Sequence, residues 1–205
     1  MTVAEAIYLV GMVAVASMAG AAVLEAGRKS FDMFGMVVIG MAGALGGGTV
    51  RDLLLDRTVF WVADVVYVWV SVIAALGTFF AARLWRLPAA IFVWPDALGL
   101  ALFGVLGTRT ALLLGVDPLI AAMMGVITGV MGGVIRDVLC NEEPLVFQGP
   151  LYATNALVGT LLYTQLRQLS WPPGYAETIC GLLIFCLRAV SLRRGWELPR
   201  FRSRG

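Results

Sequence analysis

Six stretches of this 205-residue chain are almost free of charge for the length of a membrane crossing. Residues 6–24 make 19 without Asp, Glu, Lys or Arg, and 33–50, 65–82 and 118–135 make 18 each. Residues 97–116 make 20 with Arg109 alone, and 144–166 make 23. A helix rises about 1.5 Å per residue, so about 20 apolar residues cross a hydrocarbon core about 30 Å thick. Only 14% of the chain is charged, against about 25% in a soluble domain. An all-α polytopic membrane protein is expected.

A seventh span, within 173–194, is interrupted by Glu177 and Arg188. Topology argues for it. With seven spans, Arg28, Lys29, Arg83, Arg86, Arg188, Arg193, Arg194, Arg200, Arg202 and Arg204 share one side, and only Arg57 and Arg167 fall in loops on the other. The basic side is the cytoplasmic one. The N-terminus is therefore expected outside, and residues 195–205 form a basic cytoplasmic tail. Trp61, Trp85, Trp94 and Trp171 fall at expected water–lipid boundaries, as an aromatic belt would. The Arg-rich composition, with a single Lys, fits a GC-rich bacterial genome.

The chain also repeats itself. Shifted by 85 residues without gaps, Asp32 meets Asp117, Gly40 meets Gly125, Gly47 and Gly48 meet Gly132 and Gly133, Arg51 and Asp52 meet Arg136 and Asp137, and Tyr67 meets Tyr152. Each unit, 5–88 and 95–168, holds three spans. Three is odd, so the second unit enters the membrane from the opposite side. Inverted repeats of this kind build many transporters, with the site at the repeat interface.

Each unit carries a glycine run followed by Arg-Asp: "GALGGGTVRDLLLD" and "TGVMGGVIRDVLCN". Gly40, Ala44 and Gly48, and likewise Gly125, Gly129 and Gly133, recur every four residues, a small-residue face suited to close helix packing. Gly46, Gly47 and Gly48 are also poor helix formers, so a break or bend there is a second expectation. Charges inside a membrane are costly and mark function by default. Neighbours in sequence point apart on a helix, so cross pairs are expected, Arg51 with Asp137 and Arg136 with Asp52. Whether they lock the fold or border a permeation path stays open. Asp32 and Asp117 read as helix caps. Tyr152, Thr154 and Asn155 put polar groups into span six, and Arg109 is expected to snorkel to the interface.

Other chemistry finds no footing. The chain has no histidine, and Cys140, Cys180 and Cys186 form no metal-ligand pattern. No Ser or Cys has an evident base partner, and the glycine run lacks the Lys-Ser/Thr ending of a phosphate loop. An enzyme, a metal site and a nucleic-acid partner are not expected.

The paired "GGGTVRDLLLD" and "GGVIRDVLCNEEPLVF…LYAT" resemble bacterial members of the trimeric intracellular cation (TRIC) channel family. The same sequences fall in a domain family labelled a glycine transporter domain, which occurs twice per chain. The resemblance implies a seven-helix homotrimer. Each protomer would have its own pore for K⁺ and Na⁺, framed by kinked helices two and five, with no cofactor beyond the permeant ion and bound lipid. The kinks would map to Gly46, Gly47 and Gly48 and to Gly132 and Gly133, and the basic residues near them to Arg51 and Arg136. A carrier for glycine or another small amino acid is the alternative function, and a purely structural membrane protein the third.

Overall fold

Thr2 opens the first helix with a reciprocal cap. Its hydroxyl accepts the Glu5 amide at 3.2 Å, and the Glu5 carboxylate accepts the Thr2 amide at 2.9 Å. Asp32 accepts the Gly35 amide at 2.7 Å and Asp117 the Leu119 amide at 2.9 Å, so both act as the caps expected of them. The resulting order is α1 (Val3–Ala26), α2 (Met33–Leu54), a one-turn α3 (Phe60–Ala63), α4 (Val66–Trp85), α5 (Val93–Leu113), α6 (Pro118–Leu139), α7 (Ala153–Gln168) and α8 (Tyr175–Arg194). The computed structural model describes residues 2–29, 31–85, 88–148, 150–172 and 174–199. Arg86, Arg200, Arg202 and Arg204 lie outside the described residues, and with them the end of the 195–205 tail.

The protein is an all-α membrane protein. Among the described residues, six helices are long and apolar enough to cross a bilayer. The seventh, α7, has 16 residues, about 24 Å at the helical rise. The uncharged run 144–166 is thus only partly helix. Its first part folds as a 3-10 turn, Leu145–Phe147, after Pro144, and residues 148 and 150–152 are not helical; Pro150 has no amide to give a helix. This matches the other unit: α3 begins at Phe60, 85 residues before Leu145.

α1 and α5 are the central helices. Their inner faces are mostly alanine and glycine, with Ala14, Ala19, Ala21, Ala22, Ala97 and Ala101 fully buried. Lipid is as apolar as leucine, so helices associate in it through close packing of small residues rather than by hiding oil from water. The larger side chains point outward instead: Leu9, Val13, Phe34, Ile73, Phe80 and Leu182 are exposed, as suits a surface meeting acyl chains. α4 buries only Ser71 and Ala75 and lies at the rim. α8, outside the repeat, packs against α5 and α7.

The 85-residue register holds in space. A Cβ on Gly40 would press on Val23 and the Ala19 carbonyl, and a Cβ on Gly125 on Thr108 and the Gly104 carbonyl. Each contact is the other moved by 85 positions. The two units run oppositely: Arg51, late in α2, shares a cavity with Ile7, early in α1, whereas Asp137, late in α6, shares one with Glu25 at the other end of α1.

Candidate functional site

The glycines meet where α2 crosses α6. A Cβ on Gly47 would collide with the Thr128 carbonyl, and one on Gly132 with the Gly43 carbonyl. Thr128 is the equivalent of Gly43 and Gly132 of Gly47, so the contact is reciprocal about a pseudo-two-fold axis. Backbones touch here, which only glycine allows. Gly46 lies against Ile135, 2.6 Å from where its Cβ would stand. The four-residue faces pack as expected but on other partners. Gly40 faces Ala75 and Val23, Gly48 faces Phe60, Gly125 and Gly129 face α5, and Gly133 stands beside the Tyr152 hydroxyl. The expected break is absent: α2 runs as continuous helix through Gly46, Gly47 and Gly48, and α6 through Gly132 and Gly133. The close crossing fixes these segments as helix despite their weak propensity.

The cross pairs do not form. Arg51 Nε and Nη2 each lie 2.8 Å from Oδ1 of its own neighbour, Asp52. Arg136 Nε lies 2.7 Å from Oδ1 of Asp137. The rule that neighbours point apart fails because an arginine side chain is long enough to curl back in the last helical turn. Each aspartate spends its second oxygen on the returning chain: Asp52 Oδ2 accepts the Phe60 amide at 2.8 Å, and Asp137 Oδ2 the Leu145 amide at 2.9 Å. The tight turns between are also equivalent, with Asp56 at φ 49° and Asn141 at φ 52°. Asp and Asn tolerate this left-handed region. Each Arg-Asp pair is thus a pin that ties a helix end to the reversal after it.

Around this shared plan the two ends differ. Arg136, 1% exposed, has a second carboxylate: its Nη1 lies 2.7 Å from Asp96 Oδ1. Its guanidinium stands 5.1 Å from the Phe92 ring centroid. Arg188 sits close by, 4.6 Å above the Tyr152 ring, donating to the Pro150 and Leu151 carbonyls at 3.0 and 2.9 Å. Sequence reading counted Arg188 among the cytoplasmic charges, but it is 2% exposed inside α8. Asp96 went unnoticed because it borders an apolar run, where a charge reads as a boundary marker. At the other end, Arg51 has Asp52 and the Phe60 ring, centroid 5.7 Å away, and Gly11 stands where the repeat puts Asp96.

Two cavities open from opposite ends. The first, about 330 Å³, is lined by Tyr8, Gly11, Arg51, Arg57, Tyr67 and Arg109 among others, with no carboxylate. The second, about 680 Å³, is lined by Glu25, Arg28, Asp137, Glu142, Glu143 and Arg188 among others. At its edge Lys29 Nζ lies 2.7 Å from Glu142 and holds that carboxyl below its ordinary pKa. Arg109 does not simply snorkel; it approaches Glu177 of α8 at 3.4 Å. Asn155 bonds Ser191 across helices at 3.2 Å, and Trp61 donates to Thr49 at 2.9 Å, a bond beyond simple anchoring.

A family model described as a glycine transporter matches the chain twice, over residues 7–83 and 93–168, one match to each repeat. A UPF0126 membrane protein of Vibrio cholerae is 39% identical over 95% of this chain and 82% of its own length. The UPF0126 inner membrane protein YadS of Escherichia coli is 37% identical over 95% of this chain and 96% of its own. Among solved structures, the TRIC trimeric intracellular cation channel orthologue from Rhodobacter sphaeroides superposes with a TM-score of 0.89 at 36% identity, covering 93% of this chain and 99% of that one. A prokaryotic TRIC channel crystallised in 0.5 M KCl gives 0.86 at 28% identity, covering 95% and 99%. With the family model matching both repeats and the whole-chain superposition agreeing, the chain belongs to the TRIC family of membrane proteins, whose repeated unit carries the glycine-transporter description.

Proposed function

We propose that the chain is a channel for monovalent cations, K⁺ and Na⁺, with one path through each protomer of a homotrimer. The carrying observation is the pair of cavities at opposite ends of the helices, each lined by one member of a buried Arg-Asp pin, Arg51 in one and Asp137 in the other. Gly46, Gly47, Gly48, Gly132 and Gly133 would frame the path, and Arg51, Asp52, Arg136 and Asp137 would set its field. Solved relatives that are TRIC cation channels support this reading. The chain would lie in a bacterial inner membrane, N-terminus outside and C-terminus in the cytoplasm, with lipid as its partner around the apolar rim. Single cysteines near Arg57 and in the 141–143 loop should label from opposite sides.

The deciding experiment is reconstitution of the purified protein in a planar bilayer under a KCl gradient. Discrete current steps with a cation-selective reversal potential are expected. The second reading, a glycine carrier, draws on the family description and on the use of inverted repeats in carriers. Saturable glycine uptake into vesicles without current steps would establish it in place of the channel, and neither signal would leave a structural role.

A further inference from the structure

The second repeat shows what the first one lacks. Arg136 places Nη1 2.7 Å from an Asp96 carboxylate oxygen. The Tyr152 hydroxyl is close by, for a Cβ on Gly133 would stand 3.1 Å from it and 3.6 Å from Asp96 Oδ1. The equivalents in the first repeat are Arg51, Gly11 and Tyr67. Arg51 is 6% exposed, and Asp52 engages its Nε and Nη2. Its Nη1 takes no partner among the described residues. Gly11, Arg51 and Tyr67 line one cavity, and a Cβ on Gly11 would stand 3.2 Å from the Tyr67 hydroxyl. Where the carboxylate should be there are a guanidinium and a phenol, the phenol tight against the Cβ position and the cavity beside them. Arg57 and Arg109 line the same cavity. The neighbouring carboxylates pair with the cavity's own lining groups from outside it: Asp52 with Arg51 and Arg57, Asp64 with the Tyr8 hydroxyl, and Glu177 with Arg109.

We infer that this cavity binds a small oxyanion, a phosphate or a carboxylate, whose oxygen takes the place of the Asp96 oxygen. Arg51 holds it by a charge-assisted hydrogen bond, Tyr67 donates a second, and Arg57 and Arg109 supply attraction from the rim. At about 330 Å³ the cavity holds an anion of this size together with water. The site answers to charge and shape alone and does not depend on which solute crosses the membrane.

The test is thermal unfolding of the full-length protein in neutral detergent, titrated with inorganic phosphate or acetate against chloride at matched ionic strength. In the wild type, phosphate or acetate gives a saturable rise in melting temperature that chloride does not. Gly11→Asp puts the missing carboxylate in place: it melts higher without added anion and loses the response. Arg51→Gln loses the response without that gain, and it decides the matter alone if Gly11→Asp does not fold. An unchanged response in Arg51→Gln, or none in the wild type, overturns the proposal. The same titration in phosphatidylcholine nanodiscs, with and without phosphatidylglycerol, separates sources. A shift produced by the anionic lipid and not by free anions would assign the cavity to a headgroup and overturn the small-anion site.

Discussion

The two repeats share one backbone plan yet differ in how their arginine is held. Arg136 sits between Asp96 and Asp137, with Arg188 fastening the neighbouring chain. Arg51 has Asp52 and an open cavity. Pin, turn and crossing are equivalent residue for residue, so they belong to the fold. What differs, Asp96 against Gly11 and the added α8, is free of that constraint and sets the charge seen at each end. A buried ion cluster is costly to disturb, whereas one facing a cavity can be served by water. The α6 end should therefore behave as the rigid one.

The largest effect is expected where the halves are identical. Gly47→Leu or Gly132→Leu drives a side chain into a facing carbonyl and should abolish folded protein in detergent, as judged by size-exclusion yield. Gly77→Leu, with open space around it, should leave yield and melting unchanged. Equal behaviour of the three would remove the crossing from the account.

Next comes the difference itself. Arg136→Ala strands two carboxylates and should cost about 3–5 kcal/mol of stability, the range for breaking a buried pair. Arg51→Ala should cost clearly less, because water reaches its place. Adding Asp96→Asn to Arg136→Ala should recover part of the loss through coupling of neighbours. Equal losses for the two arginine variants in denaturant melts would erase the contrast. A smaller effect is expected from Arg188→Met, which removes two hydrogen bonds from a charged donor, each worth about 1.5–3 kcal/mol before the apolar replacement offsets part of it. Faster proteolysis at residues 145–151, with no change at Phe60, is the measurement.

The smallest concerns pH. Lys29 lowers the Glu142 pKa in the folded protein. The stability this adds is full above the ordinary Glu value and fades as pH falls through the lower folded value. Melting temperature should show a shallow decline on acidification in that window, and Glu142→Gln should flatten it.

Much of this was legible in the chain. Uncharged runs marked the spans, and an 85-residue shift marked the repeat, because both are written in residue type alone. The failures share one cause, that sequence gives spacing but not partners. The stripe of Gly40, Ala44 and Gly48 said that something packs closely, yet Gly40 meets α1 and α4 and Gly48 meets Phe60 of α3, while Gly43 and Gly47 reach α6. Symmetry made cross pairs attractive, but reach decided: the curl of an arginine onto its neighbour is shorter than the path across the axis. Arg188 reads from sequence as a cytoplasmic-side charge interrupting span 173–194, and its burial beside Tyr152 stays hidden because α8 is the one helix that no repeat calibrates.

The reciprocal contact at Gly43, Gly47, Thr128 and Gly132 obeys the rule of an isologous dimer interface, in which residue i meets j and j meets i. A chain of one repeat, inserted in both orientations, would carry both halves of that contact on the same three helices. Joining two copies in one polypeptide fixes their opposite orientations and releases each from serving both roles. Gly11 and Asp96, one position in the repeat and two chemistries in the protein, show that freedom in use.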